Sequence, residues 1–450
     1  MNITKKICAT GVILVLAAGF VRAGDKLTLE ESKRLALLNN AAIKNSLLEK
    51  EAAGETRKAA LTRYFPTVSA SGTAFDAGKS LMEISTEGGN LPVYDGNPAN
   101  LAAATQFAYS PGMTMGLLKS ATIGMVTAVQ PVYAGGRIVN GNKLAALGED
   151  VSEYKVRMSR NEVLLTTEED YWRVVSLNDK LKTVQKYEEL LQRLLVQVES
   201  AYNAGLVMKN DVLKVKLSLS QVLLNKSKVE NGRKLSAMAL CQHIGIPYDP
   251  SLELEDPLPA SEAPQSYYID AAEVLKTRPE YGLLAASVRA EELKSKMKLG
   301  EYLPQVGVGV AGLYMKLDET KGRTNGMIFG TLSIPLSGWW EGFHVLSEQK
   351  AREQIARNTM KDQSDQLILQ MEKARQDLTD AHKQVLLSRE AQAQAEENLK
   401  VNQDSYDNGL SNVSDLLDAQ AMLQQTHDQL TDALAQYRVK LVYYLQVTGR

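Results

Sequence analysis

Landmark residues of this chain recur at a constant offset of 204 positions, from Pro131 to Gly245 and again from Pro335 to Gly449, without an insertion in either stretch. Val129-Gln130-Pro131-Val132 answers Ser333-Ile334-Pro335-Leu336, and Tyr202-Asn203-Ala204-Gly205-Leu206 answers Tyr406-Asp407-Asn408-Gly409-Leu410. Asp211-Val212-Leu213 likewise answers Asp415-Leu416-Leu417. Neither stretch contains a proline after its first residue, so the duplicated unit is expected to be largely helical. A copied long helical unit points to architecture before chemistry.

The N-terminus reads as an export signal over residues 1–23: Lys5 and Lys6, an apolar run from Ile7 to Phe20, then Val21-Arg22-Ala23. Removing it takes away three basic and no acidic side chains, which moves the formal charge from -2 to -5 (48 basic against 53 acidic). An acidic balance of this kind offers no footprint for nucleic acid. Cys241 is then a lone cysteine in Ala239-Leu240-Cys241, expected as a small buried apolar residue. No later segment approaches 18 uninterrupted apolar residues, so any membrane crossing would have to use β-strands.

Each half opens with a helical segment, residues 29–62 and 269–300, ahead of the matched triplets Tyr64-Phe65-Pro66 and Tyr302-Leu303-Pro304 at an offset of 238. Behind each proline residues alternate in the period-two manner of a strand, as in Thr67-Val68-Ser69-Ala70 and in Val306, Val308 and Val310. Four strands in two hairpins are expected, at about 66–75, 121–133, 304–314 and 327–336, the return strands ending at Pro131 and Pro335. The change of offset from 238 to 204 leaves 34 additional residues in the first hairpin, and the cluster Gly88, Gly89, Asn90, Pro92, Gly96 and Pro98 predicts a loop there. Gly307, Gly309 and Gly312 formally match a dinucleotide-binding turn. They lie within an alternating strand and open no helix, so no cofactor is expected.

Long helices follow. Leu144, Val151, Met158, Leu165 and Trp172 fall seven apart, and Leu177, Val184, Leu191 and Val198 continue the rhythm after a shift, as in a coiled helix. At 1.5 Å per residue the first rod would measure about 95 Å. Gly205 and Gly409 interrupt the rods and apolar periodicity resumes at once, which predicts helical hairpins at about 138–245 and 340–449. A Pro-rich acidic linker, residues 247–268, separates a first repeat (24–246) from a second (269–450).

Four strands cannot close a barrel, and an open sheet in a bilayer leaves edge groups unsatisfied, so several copies are expected to share one barrel. The order of signal, helix, Tyr-Phe-Pro hairpin, Gln130-Pro131-Val132-Tyr133-Ala134-Gly135-Gly136, long helix and Tyr-Asn-Ala-Gly-Leu turn, then repeated, resembles the TolC-type outer-membrane efflux proteins. The resemblance implies an α+β, mostly α fold, in which a homotrimer forms a 12-stranded β-barrel in outer-membrane lipid, continued by an α-helical periplasmic tunnel. It implies a passive conduit working with a periplasmic adaptor protein and an inner-membrane transporter, in efflux or type I secretion.

By the same resemblance Asp415 and Asp418 match acidic residues lining a periplasmic gate. Tyr406 and Asp211 match positions that hold the entrance shut, and Gly205, Leu206, Gly409 and Leu410 match turn tips where an adaptor docks. Asp415 also stands where an acid serves the start of a helix, and the two roles are compatible. Where some relatives carry an arginine, this chain has Ser411, so a charged clasp there is not expected.

Enzymatic readings lack support, because His243, His344, His382 and His427 have no paired metal-ligand spacing and no serine or cysteine sits in a nucleophile motif. The alternative is a soluble periplasmic adaptor or structural coiled coil. Such a protein should carry one helical hairpin flanked by small β-domains instead of two hairpins separated by paired strands.

Overall fold

The computed structural model describes residues 26–450 apart from Leu101 and Pro259; the expected export signal, residues 1–23, lies outside the described residues. The described chain divides into two compact units, each drawing on both halves of the sequence. One comprises residues up to Lys50, 152–283 and 361–450; the other comprises 51–151 and 284–360.

The second unit carries a four-stranded antiparallel sheet in the order β1 (Thr67–Asp76), β6 (Ser120–Ala134), β7 (Gln305–Leu317), β8 (Arg323–Ser333). The two expected hairpins are therefore joined by the β6–β7 ladder, which runs from Ala121↔Leu317 to Ala134↔Gln305. The prolines do not both end strands as expected. Pro131 lies inside β6, beside a register shift between Pro131 and Tyr133, whereas Pro335 falls beyond β8. A residue without an N–H is tolerated at a bulge, where the ladder is already interrupted.

Along β7 the glycines follow the strand alternation. Gly307, Gly309 and Ala311 are buried while Val306, Val308 and Val310 are exposed. A Cβ on Gly309 would stand 2.5 Å from the Phe329 ring, so the absence of a side chain is what lets β8 lay that ring across β7. The strand continues to Leu317 with no helix after the glycines.

The 34 additional residues are not the expected loop. They extend the first hairpin as an arm of two short ladders, β2 (Met82–Thr86) with β5 (Met113–Leu117) and β3 (Gly89–Pro92) with β4 (Phe107–Ser110). The polar/apolar alternation of Glu83-Ile84-Ser85 and Thr114-Met115 carries the pairing. Of the turn-forming residues, Gly88 stands at the joint and Gly96 and Pro98 in the bend, whereas Gly89, Asn90 and Pro92 are paired within β3.

The first unit is helical. Its opening segment is not continuous: α1 (Leu29–Asn39) and α2 (Ala41–Leu61) meet at Asn40, whose backbone is extended. Asn40 Oδ1 accepts from the Ala42 N–H and its Nδ2 donates to the His243 carbonyl, which pins the break. The matched break lies at Arg278, between α5 (Ala271–Val274) with its following turn and α6 (Pro279–Glu301). Arg278 is buried and bridges Glu280 and Gln370.

The long helices are α3 (Arg137–Asn203), α4 (Lys209–Ile244), α7 (Gly338–Asp407) and α8 (Val413–Val447). With 67 residues α3 is about 100 Å long. Val184, Leu191 and Val198 are fully buried as the seven-residue rhythm predicts. Upstream the expected seam is displaced: Met158 and Leu165 are only half-buried, and Val156 and Val163 are buried instead. There α3 packs against α1, α4 and linker residues together, so no single two-helix seam sets its burial.

The linker itself joins this core. Leu27 bridges Leu254, Tyr248 and Leu252 pack inward, and the Tyr171 hydroxyl donates to the Leu27 carbonyl and stands 2.7 Å from Asp256 Oδ2. Glu168 is buried beside it, paired with Lys33 at 2.5 Å and accepting from the Trp172 indole at 2.8 Å. Cys241 is buried, and burial raises its thiol pKa.

Candidate functional site: the paired helical turns

Each long helix ends in the same way. Gly205 adopts φ +77°, its N–H donates to the Tyr202 carbonyl at 2.9 Å, and Leu206 N–H donates to the Ala201 carbonyl at 2.9 Å. Gly409 (φ +72°) repeats this with Tyr406 at 2.9 Å, and Leu410 with Ser405 at 2.8 Å. This double closure at a left-handed residue satisfies carbonyls that a helix end leaves free. The C-terminal ends of α4 and α8 close identically, at Gly245 and Gly449. The offset of 204 thus copies a backbone conformation as well as a pattern.

Beyond the glycines the tips are apolar and bare: Leu206 is 78% exposed and Leu410 is 82% exposed. Behind them α3, α4, α7 and α8 share one core, with Val198, Val212, Val215, Leu416 and Leu417 buried and Tyr406, Tyr187 and Leu399 packed against them. Both hairpins therefore hold each other just behind the turns.

The expected site residues divide by what their side chains do. Asp211 Oδ2 accepts from the Met208 N–H at 3.2 Å, serving the first turn of α4. Tyr406 stands near enough that the Asp211 charge adds to burial in raising its phenol pKa. No hydrogen bond joins the two among the described residues. At α8 the capping task falls to Asn412, whose Oδ1 accepts from Ser414 N–H at 2.8 Å and Asp415 N–H at 3.1 Å. Asp415 and Asp418 are consequently left exposed, three residues apart on one helix face. Asp418 faces Tyr187, whose pKa is pushed up to about 12 by burial and then by this charge.

Sequence reading missed the contact that bridges the two hairpins. Lys214 Nζ donates to Ser414 Oγ at 2.6 Å, while Ser411 Oγ is buried without a partner among the described residues. The signal was available: Lys214 stands 204 positions before Asp418, so the duplication reverses the charge at this position. Lys216 closes the first hairpin on itself through Glu199 at 2.8 Å. Among the described residues no group of His, Cys, Asp or Glu is arranged to hold a metal ion, and no helix is long and apolar enough to cross a membrane.

Residues 34–246 match the family model described as outer membrane efflux protein. No curated protein sequence is close enough to match. Solved structures share the fold along most of the chain. The outer membrane protein VceC of Vibrio cholerae superposes with a TM-score of 0.73 at 15% identity, over 94% of this chain and 96% of that one. The outer membrane channel CmeC of Campylobacter jejuni gives 0.72 at 14%, over 94% and 85%. The open state of the MtrE outer membrane channel of Neisseria gonorrhoeae gives 0.73 at 14%, over 94% and 88%. Residues 34–246 therefore match the outer membrane efflux protein family, and the chain shares, along 94% of its length, the fold of solved outer-membrane channels.

Proposed function

We propose that this protein is the outer-membrane channel of a tripartite efflux or type I secretion system. It is a passive conduit in which three copies share a 12-stranded barrel in outer-membrane lipid, continued by a helical tunnel through the periplasm. The observation that carries the reading is the four-stranded sheet, whose β1 and β8 edges have no partner strand among the described residues and whose Val306, Val308 and Val310 face outward. Such a sheet satisfies its edges in lipid only when other copies close it. Exposed Leu213, Leu217 and Leu224 on one face of α4 give neighbouring copies an apolar wall to pack against.

In this reading the Gly-Leu tips form the periplasmic end and meet the adaptor, which links the channel to an inner-membrane transporter. Asp415 and Asp418 then form two close rings of carboxylate at the entrance, and such rings favour cations. Lys214–Ser414, with Tyr406 beside Asp211, ties the two hairpins at the closed gate.

Membrane fractionation with crosslinked mass tests the assembly: a detergent-extracted trimer is expected, and a soluble monomer would exclude the channel. Planar-bilayer recording tests the gate. Asp415→Asn with Asp418→Asn should lower the cation-to-anion permeability ratio severalfold and relieve block by multivalent cations; unchanged selectivity would remove both residues from the entrance.

A further inference from the structure

The four-stranded sheet has two unlike faces. Residues paired directly across neighbouring strands stand on the same side, and successive residues along a strand alternate. Through the β1–β6, β6–β7 and β7–β8 ladders, one face collects Val68, Val126, Val308, Val310, Ile328 and Leu332. The other collects Ser69, Ser71, Thr73, Thr127, Asn325 and Thr331, with the Ser69 and Thr127 hydroxyls 2.7 Å apart. An apolar face suits lipid and a hydroxyl-lined face suits water, so in a closed barrel the second face is turned to the lumen.

Arg323 opens β8 on that hydroxyl-lined face, paired across from Met315. Along the paired positions of the four strands it is the one charged residue on this face, because Asp76 and Lys316 fall on the apolar one. It is exposed and forms no ion pair or hydrogen bond among the described residues. In the turn before it, Asp318 is spent on the Leu118 and Ser120 N–H groups, and Glu319 and Lys321 offset each other in charge. Arg323 also lies at the arm end of the sheet, since α2, α3, α6 and α7 all join the strands at the opposite end. In a channel that is the outer mouth.

We propose that Arg323 is a selectivity residue of the conduit, one guanidinium from each copy forming an anion-attracting ring on the lumen wall at the outer mouth. The inference rests on the channel reading, which supplies the three copies. Asp415 and Asp418 stand at the other end of the path, so the two mouths carry opposite charge. A guanidinium stays charged at any working pH and matches the geometry of phosphate and carboxylate oxygens. The ring therefore binds multivalent oxyanions from outside, while the carboxylates bind multivalent cations from the periplasmic end.

Planar-bilayer recording of the full-length protein at about 0.1 M salt tests this, because charge there is felt over about 10 Å. Tripolyphosphate at ~1 mM should block the wild-type current from one side only, opposite to the side from which multivalent cations block. Arg323→Gln should weaken the tripolyphosphate block ~10-fold and raise the cation-to-anion permeability ratio about 2-fold while leaving cation block intact; Arg323→Lys should keep most of both. Lys316→Gln, at the same end on the apolar face, should change neither. A wild-type protein that forms no pore would sink the channel reading itself. Pores with no one-sided tripolyphosphate block overturn the ring without recourse to any variant. Unchanged block and selectivity in R323Q, or an equal change in K316Q, overturn it as well.

Discussion

Asp428 on α8 faces Asp179 and Lys180 of α3, with its own neighbours His427 and Asp432 close by, and its Oδ1 has no partner among the described residues. Burial raises its pKa above the ordinary carboxylate value, and the Lys180 and His427 charges oppose this without cancelling it. An acid whose folded pKa lies above its unfolded one binds its proton more tightly when folded. Its ionised form therefore costs stability at neutral pH, and the cost disappears as pH falls through the folded value. Asp428→Asn should raise the thermal midpoint at pH 7 by ~1–3 °C, a gain that shrinks to nothing as the pH is lowered toward the unfolded carboxylate range. Thermal unfolding across pH in detergent checks this, and a lower midpoint at pH 7 would show that the charge is structurally needed. Nothing in the sequence marks Asp428, because its neighbours come from a helix some 250 positions away. Asp415 was legible by its place after the glycine, but the transfer of the capping task to Asn412 depends on local backbone geometry.

At the scale of the elements, the glycines divide by what their backbone does. Gly205 and Gly409 hold positive φ with open space where a Cβ would stand, so Gly→Ala at either should cost about 1 kcal/mol through backbone strain alone. Gly148, exposed inside α3 with equally open surroundings, should respond with the opposite sign: Gly148→Ala stabilises by about 1 kcal/mol. Thermal unfolding of the three variants gives the comparison; a common sign would contradict the assignment of the two turns. Helix ends of this kind read directly from sequence, since few residues other than glycine stop a helix in this way. Strand ends did not, because Pro131 was accommodated by a bulge that only the β6–β7 pairing reveals. The arm was read as a loop because glycine, asparagine and proline at its joint, within β3 and in its bend outweighed the short alternations beside them.

At the scale of the whole molecule, the arm tests how much of the chain the sheet requires. Among the described residues β2 pairs only with β5 and β3 only with β4, while β1, β6, β7 and β8 keep a register of their own. Asp318 closes the sheet end independently, accepting from Leu118 N–H at 3.0 Å and Ser120 N–H at 2.7 Å. Replacing residues 80–116 with an Asn-Gly turn should leave membrane insertion, crosslinked mass and thermal midpoint close to wild type. A shift to monomer would assign the arm to assembly.

The sequence by itself determined the duplication, the two hairpins of strands, the two helical hairpins and their glycine stops. These follow from chain-local physics, namely side-chain periodicity and the few residues that tolerate a left-handed turn. Only the tertiary structure decided that β6 pairs with β7, that the linker is drawn into the helical core, that Lys214 reaches Ser414, and that Gln420 is buried with its amide unmet among the described residues. Each of these joins residues far apart along the chain, and their cost or gain is set by which groups burial brings together, a quantity that no local pattern contains.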